Sequence, residues 1–272
     1  MFKKIRAKKS LGQNFLKNKF KLRKIAEALE LKKGDIVIEI GPGHGEFTEE
    51  IIREFDNLGI RKFKIICIEK DTELAGILRE KFSKDKSVEI IEGDALKILS
   101  NLINKLSNYP TINYKVAGNI PYYITGYLLR IISELKTKPE LTVLTIQKEV
   151  AQRIIAKSPK MNLLAASVQF WAEPKIIGYI SKKDFFPIPK VDSAIIKLKT
   201  INNKQQAENY YKLIKILFKQ PRKTIFNNFC GSKKINNDEC RKKLLKVGIN
   251  PSDRPQNLAI KQLKELSCCG TI

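Results

Sequence analysis

Residues 36–46 of this 272-residue chain read Ile-Val-Ile-Glu-Ile-Gly-Pro-Gly-His-Gly-Glu. The apolar residues at the start predict a short buried strand, and the three glycines predict a tight loop that leads into a helix. This order is typical of α/β folds in which the loop backbone closely approaches a bound nucleotide. The stretch therefore indicates a Rossmann-like sheet with a ligand site at the end of its first strand.

The same alternation of apolar runs and amphipathic stretches continues downstream. Further strands are predicted at 64–68, 88–91, 114–117 and 141–146, and helices over 46–55, 72–82 and 122–135. Asp71 is placed to cap the second of these helices. Two later runs, 175–180 and 194–198, have no long helix between them and predict an antiparallel pair at one edge. The fold class is thus α/β, with a seven-stranded, mostly parallel sheet.

The pattern changes after residue 200, where apolar residues recur at helical spacing alone, for example at Tyr210, Leu213, Ile214 and Leu217. The polar stretch 202–206 is the predicted linker. We therefore expect two domains: residues 1–200, with a basic N-terminal segment, and a small all-helical domain over 207–272.

The net charge of +24 is unevenly distributed. Residues 1–24 hold ten Lys or Arg and no acid, and residues 201–272 hold 15 basic and 5 acidic residues, so the part between them is close to neutral. Two basic ends on a near-neutral body indicate a polyanionic partner such as a nucleic acid. A general lysine bias of the proteome is the alternative explanation.

Other features of the sequence limit the classes of protein. The five cysteines contain no C-x-x-C pair, and His44 is the only histidine, so we predict neither a metal site nor a disulfide framework. The apolar stretches are too short to cross a bilayer, and the basic N-terminus lacks the apolar run of an export signal. We expect a cytoplasmic protein that does not bind membranes, with Trp171 and Met161 in its core.

The glycine loop favours an adenosine cofactor without phosphates. The dinucleotide fingerprint G-x-G-x-x-G is not met, because position 46 is Glu. A carboxylate at this helix N-terminus would repel a pyrophosphate but would attract a cation. S-adenosyl-L-methionine, whose sulfonium and amino groups are cationic, fits this loop.

Two acidic residues follow the next two predicted strands. Glu69 lies 24 residues beyond Gly45, where Rossmann-type folds place an acid that accepts hydrogen bonds from ribose hydroxyls. Asp94 is expected to accept from the adenine amino group of the cofactor. The alternative for Asp94 is an N-cap of the helix that begins at residue 95.

Residues 118–122, Gly-Asn-Ile-Pro-Tyr, carry the chemistry of methyl transfer to an adenine amine. That nitrogen is a poor nucleophile because its lone pair is delocalised into the ring. The Asn119 side-chain oxygen and the Ile120 carbonyl, exposed by the bend at Pro121, can draw the amino hydrogens out of plane without a strong base. Tyr122 can stack on the target base. An ordinary strand-to-turn Asn-x-Pro is the structural alternative.

On these motifs the chain resembles the ribosomal small-subunit RNA adenine dimethyltransferases. It is more distantly similar to the erythromycin-resistance methylases of large-subunit RNA and the mitochondrial transcription factor B proteins. The resemblance spans nearly the whole chain, and the matching stretches are residues 9–16, 39–45, 93–95, 118–122, 147–150, 185–193 and 220–224.

This resemblance implies a Rossmann-like class I methyltransferase, a monomer that uses S-adenosyl-L-methionine. Its substrate would be two adjacent adenosines near the 3′ end of small-subunit (16S) rRNA in an assembling subunit, which gives it a role in ribosome biogenesis. The implied cofactor contacts are Asn14, Leu16, Gly41, Glu69, Asp94 and Asn119. The implied catalytic set is Asn119, Ile120, Pro121 and Tyr122, with Phe185 stacking on the target adenine opposite Tyr122.

Three other functions remain open at this point. The erythromycin-resistance enzymes typically have an Arg-containing version of the Phe185 motif and Asn at position 192, where this chain has Asp192, so the small-subunit branch is favoured. A non-catalytic ribosome assembly factor would use the fold without chemistry. DNA adenine methylation uses a similar Asn-x-Pro-Tyr motif.

Overall fold

A computed structural model of the chain describes residues 7–106, 113–201, 207–231 and 236–268. Contacts divide the chain into two compact units, one of residues 1–151 and 175–200 and the other of residues 152–174 and 201–272. The predicted linker 202–206 lies outside the described residues. The domain boundary at 200 and 207 stays a prediction, but residues 152–174 pack with the helices that follow residue 207.

The nine strands form two sheets within the described ranges. Their bounds are β1 Phe15–Leu16, β2 Ile36–Ile40, β3 Lys64–Glu69, β4 Val88–Glu92, β5 Tyr114–Asn119, β6 Leu141–Gln147, β7 Ala172–Ile180, β8 Phe185–Phe186 and β9 Ser193–Thr200.

Eleven α-helices lie between and after these strands in the same ranges. Their bounds are α1 Lys19–Glu27, α2 Glu46–Asn57, α3 Thr72–Lys81, α4 Ala95–Leu106, α5 Thr125–Glu134, α6 Lys148–Ile154, α7 Leu163–Gln169, α8 Ala207–Leu217, α9 Ile225–Cys230, α10 Asn237–Lys246 and α11 Ile260–Cys268.

The main sheet has seven strands in the order β4-β3-β2-β5-β6-β9-β7, which confirms the predicted α/β class. The pairs among β4, β3, β2, β5 and β6 are parallel, and β9 is antiparallel to β6. The two late strands thus lie together at one edge, as predicted. The five parallel strands run in the same direction, so their carboxyl ends lie along one end of the sheet. The loops that follow these strands converge there.

Alternation along the strands divides the core between the two faces of the sheet. Val37, Ile65 and Val143 face a cluster that α1 and α2 complete, through residues such as Ile25 and Phe55. The residues that follow them in each strand, on the other face, are also buried, namely Ile38, Ile66 and Leu144. A sheet covered on both faces explains why its strands are continuously apolar.

Helix starts follow the predicted capping chemistry. The Asp71 side chain accepts a hydrogen bond from the Glu73 amide and caps α3. The predicted helix over 122–135 begins, directly after Pro121, as a 3-10 turn at Tyr122–Ile124 that leads into α5.

The second unit is helical in its later part. Tyr210 of α8 is buried, stacks on Phe170 with ring centroids 4.1 Å apart and donates to the Ala166 carbonyl at 2.9 Å. Trp171 and Met161 are buried, as predicted.

The sequence predicted no disulfide framework, and this prediction missed one cysteine pair. Cys230 at the end of α9 and Cys240 in α10 form a disulfide, with Cα atoms 6.0 Å apart. The ten-residue spacing carried no sign of this pairing, because it results from the way α9 packs against α10. Within the described residues, no helix is long and apolar enough to cross a membrane.

A buried ion pair fixes the edge of the sheet where the parallel strands begin. Lys115 Nζ lies 2.6 Å from Asp35 Oδ2 and also donates to the Glu30 carbonyl, and the two charged side chains are 0% and 1% exposed. A buried charge that loses its partner is costly, whereas an exposed pair contributes little.

We therefore expect Asp35→Ala to lower the free energy of unfolding by about 3–5 kcal/mol, because it leaves the Lys115 ammonium buried without a counter-ion. Asp35→Asn, which keeps an acceptor, should cost less. Lys32→Ala is the control, since it removes the more exposed pair with Glu140 and should cost under about 1 kcal/mol. Urea denaturation measures all three, and equal losses for Asp35→Ala and Lys32→Ala would contradict the expectation.

Candidate active site

A cleft of about 1090 Å³, including its open mouth, lies at the edge where the parallel strands end. Its walls come from the loops after β2, β3, β4 and β5 and from the N-terminal segment. The lining residues fall mainly in 11–16, 39–43, 68–70, 93–96 and 119–124, together with Phe185. Every site residue predicted from the sequence therefore lies at this one cleft.

The glycine loop after β2 forms one wall of the cleft. Gly43 has a φ of +64°, and a Cβ there would lie 3.0 Å from the Phe15 ring, so a side chain would strain the backbone and would push against the N-terminal segment. A Cβ on Gly41 would meet no atom within 4 Å, so the loop leaves room beside its backbone. A ligand close to this backbone stays a prediction.

Glu69 ends β3 in the cleft, as predicted. Its two carboxylate oxygens accept hydrogen bonds from the backbone amides of Gly43 at 3.0 Å and Asp71 at 2.9 Å. Burial raises the pKa of Glu69, and these amide donors work against that rise. A carboxylate oxygen can accept more than one hydrogen bond, so Glu69 keeps acceptor capacity toward the cleft.

Asp94 lies in the cleft and also caps α4. The role of N-cap that the sequence offered as an alternative is therefore compatible with a ligand contact. One oxygen accepts from the Leu96 amide at 3.0 Å, at the start of α4, and the other from Lys70 Nζ at 2.9 Å. Burial acts to raise the pKa of Asp94, but the hydrogen bonds from Lys70 and Leu96 outweigh it and the pKa lies below its ordinary value. The contact of Lys70 with Asp94 was not predicted, because no sequence motif marks a lysine that will bind this carboxylate.

Residues 7–16 form an N-terminal strap along the cleft. Lys8 Nζ and the Gln13 amide bind the two oxygens of buried Asp71 at 2.8 and 3.0 Å. The last residues of the strap, Phe15 and Leu16, pair with β8. Asn14 and Leu16 therefore line the cleft, as the resemblance implied. Lys3, Lys4 and Arg6 of the basic N-terminus lie outside the described residues.

Asn119 is oriented by the strap. Its Nδ2 donates to the Asn14 carbonyl at 2.9 Å. Since a carbonyl can only accept, the Asn119 amide nitrogen must face Asn14, which leaves the side-chain oxygen available as an acceptor. Both Asn119 and Ile120 line the cleft, and no protein donor reaches the Ile120 carbonyl within the described residues.

Two aromatic residues complete the cleft. The Tyr122 hydroxyl lies 2.7 Å from Ser193 Oγ, which fixes its ring, and burial raises its pKa. Phe185 is 3% exposed and pairs with Leu16 across β1 and β8. A second groove adjoins the cleft and shares Tyr122 and residues 12–14 with it. The sandwich of a base between the two rings stays a prediction.

The sequence did not reveal that the Glu39 carboxyl group is buried and has a raised pKa. It is buried, and its Oε2 accepts from Thr48 Oγ1 at 2.7 Å. Burial raises its pKa from 4.5 to about 7. His44 is not among the residues that line the cleft, and its ring packs edge-on against Phe15. Within the described residues, no cluster of His, Cys, Asp and Glu has the composition to hold a metal ion.

The raised pKa of Glu39 makes the stability of the fold depend on pH. Between about pH 4.5 and 7 the folded chain holds a proton that the unfolded chain releases, so this group lowers stability as pH rises through that window. We expect Glu39→Gln to gain stability relative to the unmodified chain between pH 5 and 8, by an amount on the order of 1–3 kcal/mol. Urea denaturation at both pH values tests this, with exposed Glu80→Gln as control. A constant difference between Glu39→Gln and the unmodified chain would contradict it.

The Lys8 and Gln13 contacts predict how firmly the strap is held. Replacing both by Ala should speed amide hydrogen exchange over residues 9–16 by about tenfold or more, because hydrogen bonds to a carboxylate are lost there. Exchange in β2 and β5 should not change. Lys9→Ala is the control, since Lys9 makes no side-chain hydrogen bond or ion pair in the ranges that the structure describes. Equal exchange rates in the two variants would show that the contacts do not hold the strap.

Comparison with known proteins identifies the family of this chain. The family model described as ribosomal RNA adenine dimethylase matches residues 4–268. The ribosomal RNA small subunit methyltransferase A of Dehalococcoides mccartyi is 36% identical over 266 residues, covering 96% of this chain and 88% of the relative. The protein of the same name from Mycoplasma capricolum is 36% identical over 272 residues, covering 96% and 97%.

Solved structures agree with the fold described above. A dimethyladenosine transferase from Plasmodium falciparum matches with a TM-score of 0.75 and 25% identity over 92% of this chain and 95% of its own. The 23S rRNA methyltransferase ErmE matches with a TM-score of 0.73 and 24% identity over 94% and 98%, which shows the shared fold. With a family model that spans almost its whole length, the chain belongs to the ribosomal RNA adenine dimethylases.

Proposed function

We propose that this chain transfers methyl groups from S-adenosyl-L-methionine to the 6-amino nitrogens of two adjacent adenosines near the 3′ end of small-subunit rRNA, forming dimethyladenosines. The observation that carries the proposal is the Asn119 side chain, which the Asn14 carbonyl orients so that its oxygen is available in the cleft. The names of the relatives at 36% identity support the small-subunit substrate.

The residues present fit the proposed cofactor. Glu69, Asp94 and Glu46 line the cleft and favour a cationic ligand over a phosphate-bearing one. The open space beside Gly41 leaves room for a group close to the backbone. Asn14, Leu16, Gly41, Glu69, Asp94 and Asn119 would hold the cofactor, and Lys70 would move from Asp94 where the adenine amino group binds. When bound, S-adenosyl-L-methionine supplies an electrophilic methyl group on its sulfonium.

The protein contributes positioning to the reaction. In the first transfer the Asn119 oxygen and the Ile120 carbonyl accept the two amino hydrogens of the target adenine, which directs the nitrogen lone pair toward the methyl group. In the second transfer one of the two acceptors holds the single hydrogen that remains. Neither acceptor titrates, so neither would take up the proton that the amine loses on methylation, and that proton would pass to solvent. Pro121 holds the bend that exposes the Ile120 carbonyl, and the rings of Tyr122 and Phe185 hold the base in the plane that this geometry requires.

The cellular setting follows from this substrate. We propose that the chain acts as a monomer in the cytoplasm on an assembling small subunit, with a role in ribosome biogenesis. Its basic charge would contribute attraction to the RNA backbone.

The direct test uses labelled S-adenosyl-L-methionine and unmethylated ribosomal subunits. We expect dimethyladenosine to appear near the 3′ end of small-subunit rRNA. Label confined to large-subunit RNA would move the chain to the resistance-type methylases, and efficient competition by duplex DNA would favour a DNA substrate. Subunit assembly that proceeds equally with an inactive variant would favour a non-catalytic assembly factor.

Asn119→Ala should lower kcat by about 10²-fold or more, because an acceptor for the amino hydrogens is lost. The affinity for S-adenosylhomocysteine, measured by calorimetry, should fall far less. Tyr122→Phe and Tyr122→Ala form a matched pair: Phe keeps the ring and loses only the hydroxyl contact to Ser193, so it should retain most of the activity that Ala loses. Full turnover in Asn119→Ala would reject this mechanism.

A further inference from the structure

The short strand β8 carries two phenylalanines that face opposite directions. Phe185 is 3% exposed and lines the cleft, whereas its neighbour Phe186 is 56% exposed. Successive side chains of a strand point to opposite faces, so Phe186 lies just outside the cleft that Phe185 helps to form. The inward ring belongs to the proposed methylation site, and the outward ring has no role in it.

A lysine lies over this exposed ring, and a second exposed ring nearby is arranged in the same way. Lys17 Nζ is 4.1 Å from the centroid of Phe186. Lys148 Nζ is 5.3 Å from the centroid of Tyr179, which is 47% exposed. Such contacts restrict the position of each ring and place an ammonium group beside it. We call these four residues the lysine–aromatic rim.

The two pairs belong to one surface. Lys21, four residues after Lys17, donates to the Tyr179 carbonyl at 2.8 Å. On the other side, the chain continues from Phe186 into residues 187–191, which line the groove that adjoins the cleft. That groove shares Tyr122 and residues 12–14 with the cleft. Phe186 of the lysine–aromatic rim therefore lies next in the chain to the groove that adjoins the cleft.

The surroundings of the rim hold more basic than acidic residues, and the acids beside it in sequence are Glu149, Asp184 and Asp192. Lys19, Lys182, Lys183 and Lys190 lie within a few residues of it in sequence. Asp184 accepts a hydrogen bond from the Asn18 amide at 2.9 Å, and Asp192 accepts from the Lys182 amide at 3.0 Å. Exposed rings can stack on flat bases, and the adjacent ammonium groups can bind phosphates, so together they suit a nucleic-acid strand.

We propose that the lysine–aromatic rim is a stacking platform that holds single-stranded nucleotides next to the target adenosine. This rests on the proposed function, because it takes the occupant to be RNA. Phe186 and Tyr179 would stack on neighbouring bases, and Lys17 and Lys148 would neutralise their phosphates. An acidic protein partner would satisfy the lysines but would not need exposed rings, so the observations favour RNA.

The test measures the affinity of the full chain for a fluorescently labelled, short single-stranded oligoribonucleotide that contains two adjacent adenosines. Phe186→Leu keeps an apolar side chain but loses the aromatic face, and we expect its affinity to fall roughly fivefold or more. Phe186→Tyr keeps the face and should bind like the unmodified chain. Tyr179→Leu should weaken binding similarly, and the double variant should weaken it further.

Two controls separate stacking from other effects. Leu58→Ala removes an apolar side chain that is 51% exposed just after the end of α2, at the opposite edge of the sheet, and should leave affinity unchanged. Inorganic polyphosphate offers charge without bases, so Phe186→Leu should bind it as the unmodified chain does. Equal losses for RNA and polyphosphate, or equal affinity of Phe186→Leu and Phe186→Tyr for RNA, would overturn the platform.

The same variants distinguish this inference from the proposed function. In the methylation assay, Phe186→Leu should raise KM for the small subunit while kcat changes little. If the unmodified chain and Phe186→Leu methylate small-subunit rRNA with the same KM, the stacking platform is rejected and the proposed function stands. If the unmodified chain methylates no rRNA, the proposed function fails, and the oligoribonucleotide affinities still decide whether the rim binds single-stranded nucleotides.

Discussion

The active-site cleft depends on how closely β2 and β5 approach at the edge where they end. A Cβ on Gly118 would lie 2.5 Å from the Ile40 carbonyl oxygen, a distance that no side chain tolerates. Residue 118 must therefore be glycine for β5 to pass this close to Ile40, one residue beyond the last paired residues, Glu39 and Ala117. This pairing places the glycine loop after Ile40 beside Asn119, so the proposed cofactor wall and the proposed acceptor of amino hydrogens are set by one backbone contact.

The N-terminal strap closes the remaining side of the cleft by polar contacts. Lys8 and Gln13 bind Asp71, which also caps α3, and the Asn14 carbonyl orients Asn119. A single buried carboxylate thus serves a helix start and a distant chain segment together. Because the strap supplies a contact to Asn119, the orientation of the proposed catalytic amide depends on residues more than a hundred positions earlier in the chain.

The electrostatics of the site divide into two parts. Carboxylates line the end formed by the loops after β3 and β4, where the pKa of Glu69 is raised by burial and that of Asp94 is lowered by Lys70 and Leu96 despite burial. Around Asn119 and Ile120 the available groups are neutral amide and carbonyl oxygens. The first part suits a cationic ligand and the second an amine that must be oriented, which agrees with methyl transfer by positioning.

The sequence by itself determined the elements and the motif residues. Apolar periodicity located the seven strands of the main sheet, because burial on both faces of a sheet leaves continuous apolar runs, and it located the helices α2, α3, α5 and α8. It did not locate the two-residue strands β1 and β8 or the helices α1, α6 and α7. The glycine loop and residues 118–122 depend on local backbone chemistry. Only the tertiary structure decided the contacts between distant segments: Lys8 with Asp71, Lys70 with Asp94, the Cys230–Cys240 pair and the grouping of residues 152–174 with the later helices. Such contacts leave no periodic trace, because each joins residues whose separation along the chain carries no information about their distance in space.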